Sequence, residues 1–68
     1  MGIGKSIAGL RIKRGWTQSK LAKSTGLSRG YISAIEEGRR NPSIKTLAII
    51  AEKLGVSINK LNEEGGPP

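Results

Sequence analysis

The stretch Thr17–Glu36, TQSKLAKSTGLSRGYISAIE, decides the fold. At its middle, Gly26-Leu27-Ser28 reads as a helix stop followed at once by a helix start. Glycine takes up the left-handed backbone that ends a helix. Serine caps the next helix by accepting from its unpaired N–H groups. Leu27, between them, can pack on the fourth residue of the new helix, Ile32, as a hydrophobic staple. The same triplet of glycine, apolar residue and hydroxyl recurs at Gly15-Trp16-Thr17 and Gly55-Val56-Ser57, with staple partners Leu21 and Leu61 in register. A fourth start, Asn41-Pro42-Ser43, has Ser43 as cap and Leu47 at the matching distance.

These marks divide the chain into five short helices, roughly 4–14, 18–24, 29–37, 44–54 and 58–64. Apolar residues repeat within them at helical spacing: Ile3, Ile7 and Leu10; Ile32 and Ile35; Leu47, Ile50, Ala51 and Leu54; Ile58 and Leu61. Helices of such length are not stable alone, so they must pack on one another. No segment alternates as a strand does. The fold class is therefore all-α, a single helical domain over 1–64. Gly65-Gly66-Pro67-Pro68 carries no core residue and reads as a disordered tail.

Composition excludes much chemistry. Sixty-eight residues make one small domain with a thin core. Histidine and cysteine are absent, which removes disulfides, Cys/His metal sites, a thiol nucleophile and the usual general base. The five acidic residues, all Glu, lack the spacing of a cation-binding loop. Neither an enzyme, a cofactor, a metal nor a small-molecule ligand is expected. Gly4-Lys5-Ser6 echoes the end of a phosphate-binding loop, but no strand precedes it. The longest apolar run, Leu47 to Ala51, is far short of a membrane span, and the start lacks a signal peptide's apolar region. The expectation is a cytoplasmic protein with no membrane partner. The net charge of +7 is segregated: residues 1–40 hold nine basic side chains against Glu36 and Glu37, while residues 41–68 balance three against three. Such a distribution points to a face for a polyanion.

The connection Thr25-Gly26-Leu27 is short enough to send the helix after it steeply across the one before. This is helix-turn-helix geometry, in which the second helix enters the DNA major groove; a plain helical hairpin is the other way to use it. Three features favour the first. Arg29 in the first turn and Glu36 and Glu37 in the last oppose the helix dipole, and Gly30 costs about 1 kcal/mol against alanine. The outward residues Arg29, Gly30 and Ser33 form a small polar face suited to base edges. Arg39-Arg40-Asn41 then follow, where a phosphate strand could run.

Thr17-Gln18, Leu21-Ala22, Gly26-Leu27-Ser28, Tyr31-Ile32-Ser33, Ile35-Glu36, Gly38, Asn41-Pro42-Ser43 and Leu54-Gly55-Val56-Ser57 together resemble the helix-turn-helix domain of Cro/repressor-type regulators of phages and bacteria. The resemblance runs from about Ile3 to Leu61. It implies a compact five-helix repressor-like bundle and sequence-specific binding of double-stranded DNA in transcription control, with repression the usual role. By the same resemblance Thr17 and Gln18 open the second helix at the DNA, where Gln18 touches phosphate and braces the recognition helix. Ser28 caps that helix and meets a phosphate. Arg29, Gly30 and Ser33 occupy base-reading positions, Tyr31 either flanks the groove or is a half-buried structural residue, and Arg39, Arg40 and Asn41 lie on the DNA backbone. Arg11 pairs with Glu36 as a structural salt bridge between the first and third helices. Trp16 is a core residue. Gly30 departs from the better-studied phage repressors by offering no side chain to a base, which concentrates readout on Arg29, whose fork suits guanine O6 and N7.

One reading arginine cannot single out a site, so a weak homodimer strengthened on DNA is expected, with Ile49 or Ile58 to Leu61 as candidate contacts. The alternative is a helical adaptor whose basic face binds an acidic protein, its DNA reading lost.

Overall fold

A computed structural model describes residues 2–65, with side chains as far as Leu61. Five helices follow one another: α1 (Ile3–Lys13), α2 (Gln18–Thr25), α3 (Arg29–Glu36), α4 (Ile44–Leu54) and α5 (Ile58–Gly65). The boundaries differ from the sequence expectation by one residue where they differ at all. Gly65 closes α5 and is not part of the tail, and the remaining tail residues, 66–68, lie outside the described residues.

All four expected caps form. Thr17, Ser28, Ser43 and Ser57 accept through their hydroxyl oxygens from the N–H of Lys20, Tyr31, Thr46 and Lys60, at 3.0 to 3.2 Å. The stops form too. At the α2–α3 turn Gly26 lies at φ 77°, a left-handed conformation that a side chain would strain. The Leu27 N–H then reaches back to the Ala22 carbonyl at 3.1 Å. Thr25 contributes what its sequence position does not advertise. Its hydroxyl lies against the Leu21 and Ala22 carbonyls, at 2.9 and 3.1 Å, and accepts from the Leu27 N–H at 3.3 Å. The same five-residue reach-back closes α3, where the Arg39 N–H donates to the Ala34 carbonyl at 2.8 Å. That stop falls one residue before the expected end, so Glu37 caps α3 from outside its last turn.

The core gathers one stripe from every helix: Ile7 and Leu10, Leu21 and Ala22, Ile32 and Ile35, Ile50, Ala51 and Leu54, and Leu61. The staple residues Trp16, Leu27 and Val56 are half-buried and pack against it. α1 lies against α5 and α3, and α2 against α3 and α4. Leu61 is fully buried in this core, so it is not available as a dimer contact, and Ile49 is half-buried. Among the described residues, the large apolar side chains that stand exposed are Ile12 and Ile44.

Two residues of α1 set how it meets its neighbours. A Cβ on Gly4 would collide with the Ile35 carbonyl oxygen and press on that of Glu36. The glycine thus lets α1 cross the end of α3 at backbone distance. Two residues on, Ser6 is buried with no hydrogen-bond partner for its hydroxyl among the described residues. An unpaired buried hydroxyl costs stability that a methyl group would not. Gly4→Ala should therefore lower the unfolding free energy by about 1–3 kcal/mol, because rigid backbone must move. Ser6→Ala should raise it by about 1 kcal/mol. Urea unfolding of the two variants beside the parent checks both signs.

Candidate nucleic-acid interface

The second helix of the turn motif shows one side to the core and the other to water. Ile32, Ala34 and Ile35 are buried; Arg29 and Gly30 are exposed, and Ser33 is half-exposed. The expected reading face is thus the outer side of a helix anchored from behind. At the start of the motif, Thr17 and Ser28 are exposed and use their oxygens as caps. Each hydroxyl keeps its own proton, a donor suited to a phosphate oxygen.

Arg11 and Glu36 meet as the sequence implied. The guanidinium donates through Nε to Glu36 Oε2 at 2.8 Å and through Nη2 to Oε1 at 3.0 Å, while Nη1 donates to the Trp16 carbonyl at 2.7 Å. The side chains are only 12% and 6% exposed. Gln18 joins them: its Nε2 donates to Glu36 Oε1 at 3.0 Å, and its Oε1 accepts from Arg29 Nη1 at 3.2 Å. A single chain of bonds therefore runs from the Trp16 carbonyl through Arg11, Glu36 and Gln18 to Arg29. It starts inside the bundle and ends on the exposed side of α3.

A second group forms where α3 ends. Glu37 accepts from the Ser33 hydroxyl at 3.1 Å and from Arg39 Nε at 2.8 Å. The hydrogen bond from Arg39, then that from Ser33, hold the Glu37 carboxyl below the usual carboxylate range. The Arg40 guanidinium lies 5.3 Å from the centre of the Tyr31 ring, which is half-buried against the core. Asn41 is exposed just beyond. Of the ten expected DNA-facing residues, Tyr31 is half-buried against the core, and the other nine lie at the start of α2, at the cap and outer side of α3 and in the loop after it.

Sequence reasoning missed Glu37 as a partner of Ser33 and Arg39. Its spacing of four from Ser33 on a helix was the available signal. It also missed the cations over Trp16. Arg14 lies 4.9 Å and Lys20 5.5 Å from the centre of the ring, and Arg14 Nη1 donates to the Leu54 carbonyl at 3.1 Å. Trp16 is accordingly a half-buried lid on the core under two cations, and Arg14 ties the end of α1 to the end of α4.

A helix-turn-helix family model matches residues 7–61, which is most of the chain. This chain belongs to the helix-turn-helix family. Its resemblance to repressor-type regulators holds, since its relatives include a phage immunity repressor and HTH-type transcriptional regulators. It is 44% identical over 55 residues to an uncharacterized HTH-type transcriptional regulator of Sinorhizobium fredii, covering 81% of this chain and 71% of that one. It is 39% identical over 61 residues to the immunity repressor protein of Bacillus phage phi105, covering 90% of this chain but 42% of the repressor. Among solved structures, the biofilm master regulator SinR in complex with DNA superposes with a TM-score of 0.82 at 37% identity, covering 87% of this chain and 95% of that one. This helix-turn-helix chain therefore spans most of some relatives and less than half of others.

The bond chain through Glu36 predicts a large stability effect. Removing one partner of a nearly buried pair strands the other charge. Glu36→Ala should cost about 3 kcal/mol of unfolding free energy. Arg11→Ala should also destabilise, and the double variant should cost less than the sum of the two single effects, because both changes break one interaction. A double-mutant cycle by thermal or urea unfolding gives the coupling.

Proposed function

We propose that this helix-turn-helix chain is a sequence-specific double-stranded DNA-binding transcriptional regulator, acting as a repressor at a palindromic operator with α3 in the major groove. The observation that carries this reading is the Arg29–Gly30–Ser33 face: exposed, slim, and braced from the core through Gln18 and Glu36. Arg29 reads guanine O6 and N7 with its fork, and the open space at Gly30 lets a base edge come close. Thr17, Gln18, Ser28, Tyr31, Arg39, Arg40 and Asn41 hold the phosphate strands on either side. Phosphate contacts of this kind fix position while base contacts supply sequence. The DNA-bound SinR structure supports the assignment by similarity of fold and sequence.

A homodimer, weak in solution and consolidated on DNA, completes the reading. Two-fold symmetry sets the two recognition helices about one DNA turn apart, near 34 Å. The names of the relatives are those of regulators, which supports a binding protein without catalytic activity. No helix among the described residues is long and apolar enough to cross a membrane, which accords with action on cytoplasmic DNA.

Two measurements test the assignment. If about six to eight phosphates are met per dimer, log K falls against log salt with a slope of roughly −5 to −7. Replacing Arg39 and Arg40 by alanine should flatten that slope and weaken all duplexes alike, and a duplex affinity independent of salt would overturn the DNA-binding reading. Selection from random duplexes should return an inverted repeat with half-sites about 10 bp apart. Arg29→Ala should lose about 1–3 kcal/mol per half-site and relax one guanine only; equal weakening on every duplex would make Arg29 a phosphate contact.

A further inference from the structure

Arg29, Ser33 and Glu37 stand at intervals of four residues, so they form one row along the exposed side of α3. Arg29 begins the row, Ser33 is its centre, and Glu37 ends it at the helix cap. On a face that meets a polyanion, a carboxylate is a cost. It repels phosphate, and it engages Arg39, one of the backbone-contacting side chains.

What the carboxylate does in return follows from its bond to Ser33. An ionised carboxylate offers only lone pairs, so the 3.1 Å contact requires the hydroxyl proton of Ser33 to point at Glu37 Oε2. Ser33 has one proton, and it is spent there. Only acceptor lone pairs remain for a base edge. The other oxygen of Glu37 is held by Arg39 Nε at 2.8 Å, so each oxygen has its own partner and the carboxylate is fixed from both sides. Because Arg39 uses Nε for this, its two terminal nitrogens are left for a phosphate. In the major groove adenine N6 and cytosine N4 donate, whereas guanine O6 and thymine O4 accept.

We infer that Glu37 is a specificity-positioning residue: by accepting the hydrogen bond of the Ser33 hydroxyl it leaves that oxygen only acceptor capacity, so α3 selects an amino-bearing base and rejects a keto-bearing one at the position Ser33 faces. The inference rests on the DNA-binding function proposed above. In the free chain water competes with the Ser33–Glu37 bond. In the groove water is displaced, and the bond strengthens in the lower local dielectric. Without Glu37 the hydroxyl can rotate and satisfy either kind of base.

The experiment is enrichment of a randomised duplex pool on the full chain, run in parallel with Ser33→Ala and Glu37→Ala, both surface changes. The parent should show, in each half-site, one position where adenine and cytosine on one strand are favoured together over guanine and thymine. The preference should be roughly three- to tenfold, the worth of one net hydrogen bond. Ser33→Ala should erase it and keep the guanine assigned to Arg29. Glu37→Ala should bring the same position close to parity while binding the whole pool more tightly, by about two- to fivefold at low salt, since one like charge is gone. A position sorted by purine against pyrimidine, or by A·T against G·C, overturns the inference and leaves DNA binding standing. So does an amino preference that survives in Glu37→Ala. If the parent enriches no duplex at all, the DNA-binding function fails and this inference fails with it.

Discussion

The pairing of Arg11 with Glu36 is the interaction on which the arrangement of the first three helices depends. It joins residues twenty-five apart in the chain, and its two side chains are nearly out of water. Desolvating two charges is costly, and the attraction between them repays the cost only when the geometry is good and the remaining hydrogen-bonding capacity is used. Here both conditions are met. The contact is bidentate, the spare guanidinium nitrogen takes the Trp16 carbonyl, and Gln18 takes a share of the carboxylate. An apolar replacement could hold α1 against α3, but it could not also orient an amide at the start of α2. The polar solution fixes three elements at one point.

That point lies directly behind the exposed side of α3, the face proposed to meet DNA. Gly4 brings α1 to backbone distance of the last turn of α3, which puts Arg11 in reach of Glu36. Glu36 and Glu37, adjacent in sequence, then face opposite ways in function. The first turns inward and braces the helix; the second stays exposed and engages Ser33 and Arg39. Two acidic residues at the negative end of a helix are unfavourable on dipole grounds alone, and each is offset here by a guanidinium.

Much of this was legible in the sequence, because helix termini are decided by near neighbours. Gly26, Ser28 and Ser57 act within a few residues of their partners, so their roles follow from spacing alone. The Arg11–Glu36 pair was available only through resemblance, since nothing local ties those two positions. What stayed hidden depends on how helices cross. Gly4 showed only a phosphate-loop echo that the missing strand ruled out, while its role is set by a carbonyl thirty-one residues away. Leu61 read as a candidate dimer contact, when the α1–α5 packing buries it completely. Ser6, in the first helix, gives no sign in the sequence that its hydroxyl is enclosed without a partner. Glu37 is the exception, because its spacing from Ser33 was readable and the dipole argument drew attention elsewhere.

The exposed face of α3 has a consequence for how such a domain changes over time. Arg29, Gly30 and Ser33 contribute nothing to the buried cluster, so in the proposed function exchanging them alters what is recognised at little expense to folding. A lineage can therefore try new target sites one substitution at a time, each intermediate remaining a folded protein. The freedom is uneven along the helix. Position 29 is tied to the interior through Gln18, so a new residue there also disturbs the bracing, whereas position 30 opens on free space and the Ser33 hydroxyl bonds outward to Glu37. Retargeting by mutation is thus least constrained at the centre of the face and most constrained at its beginning.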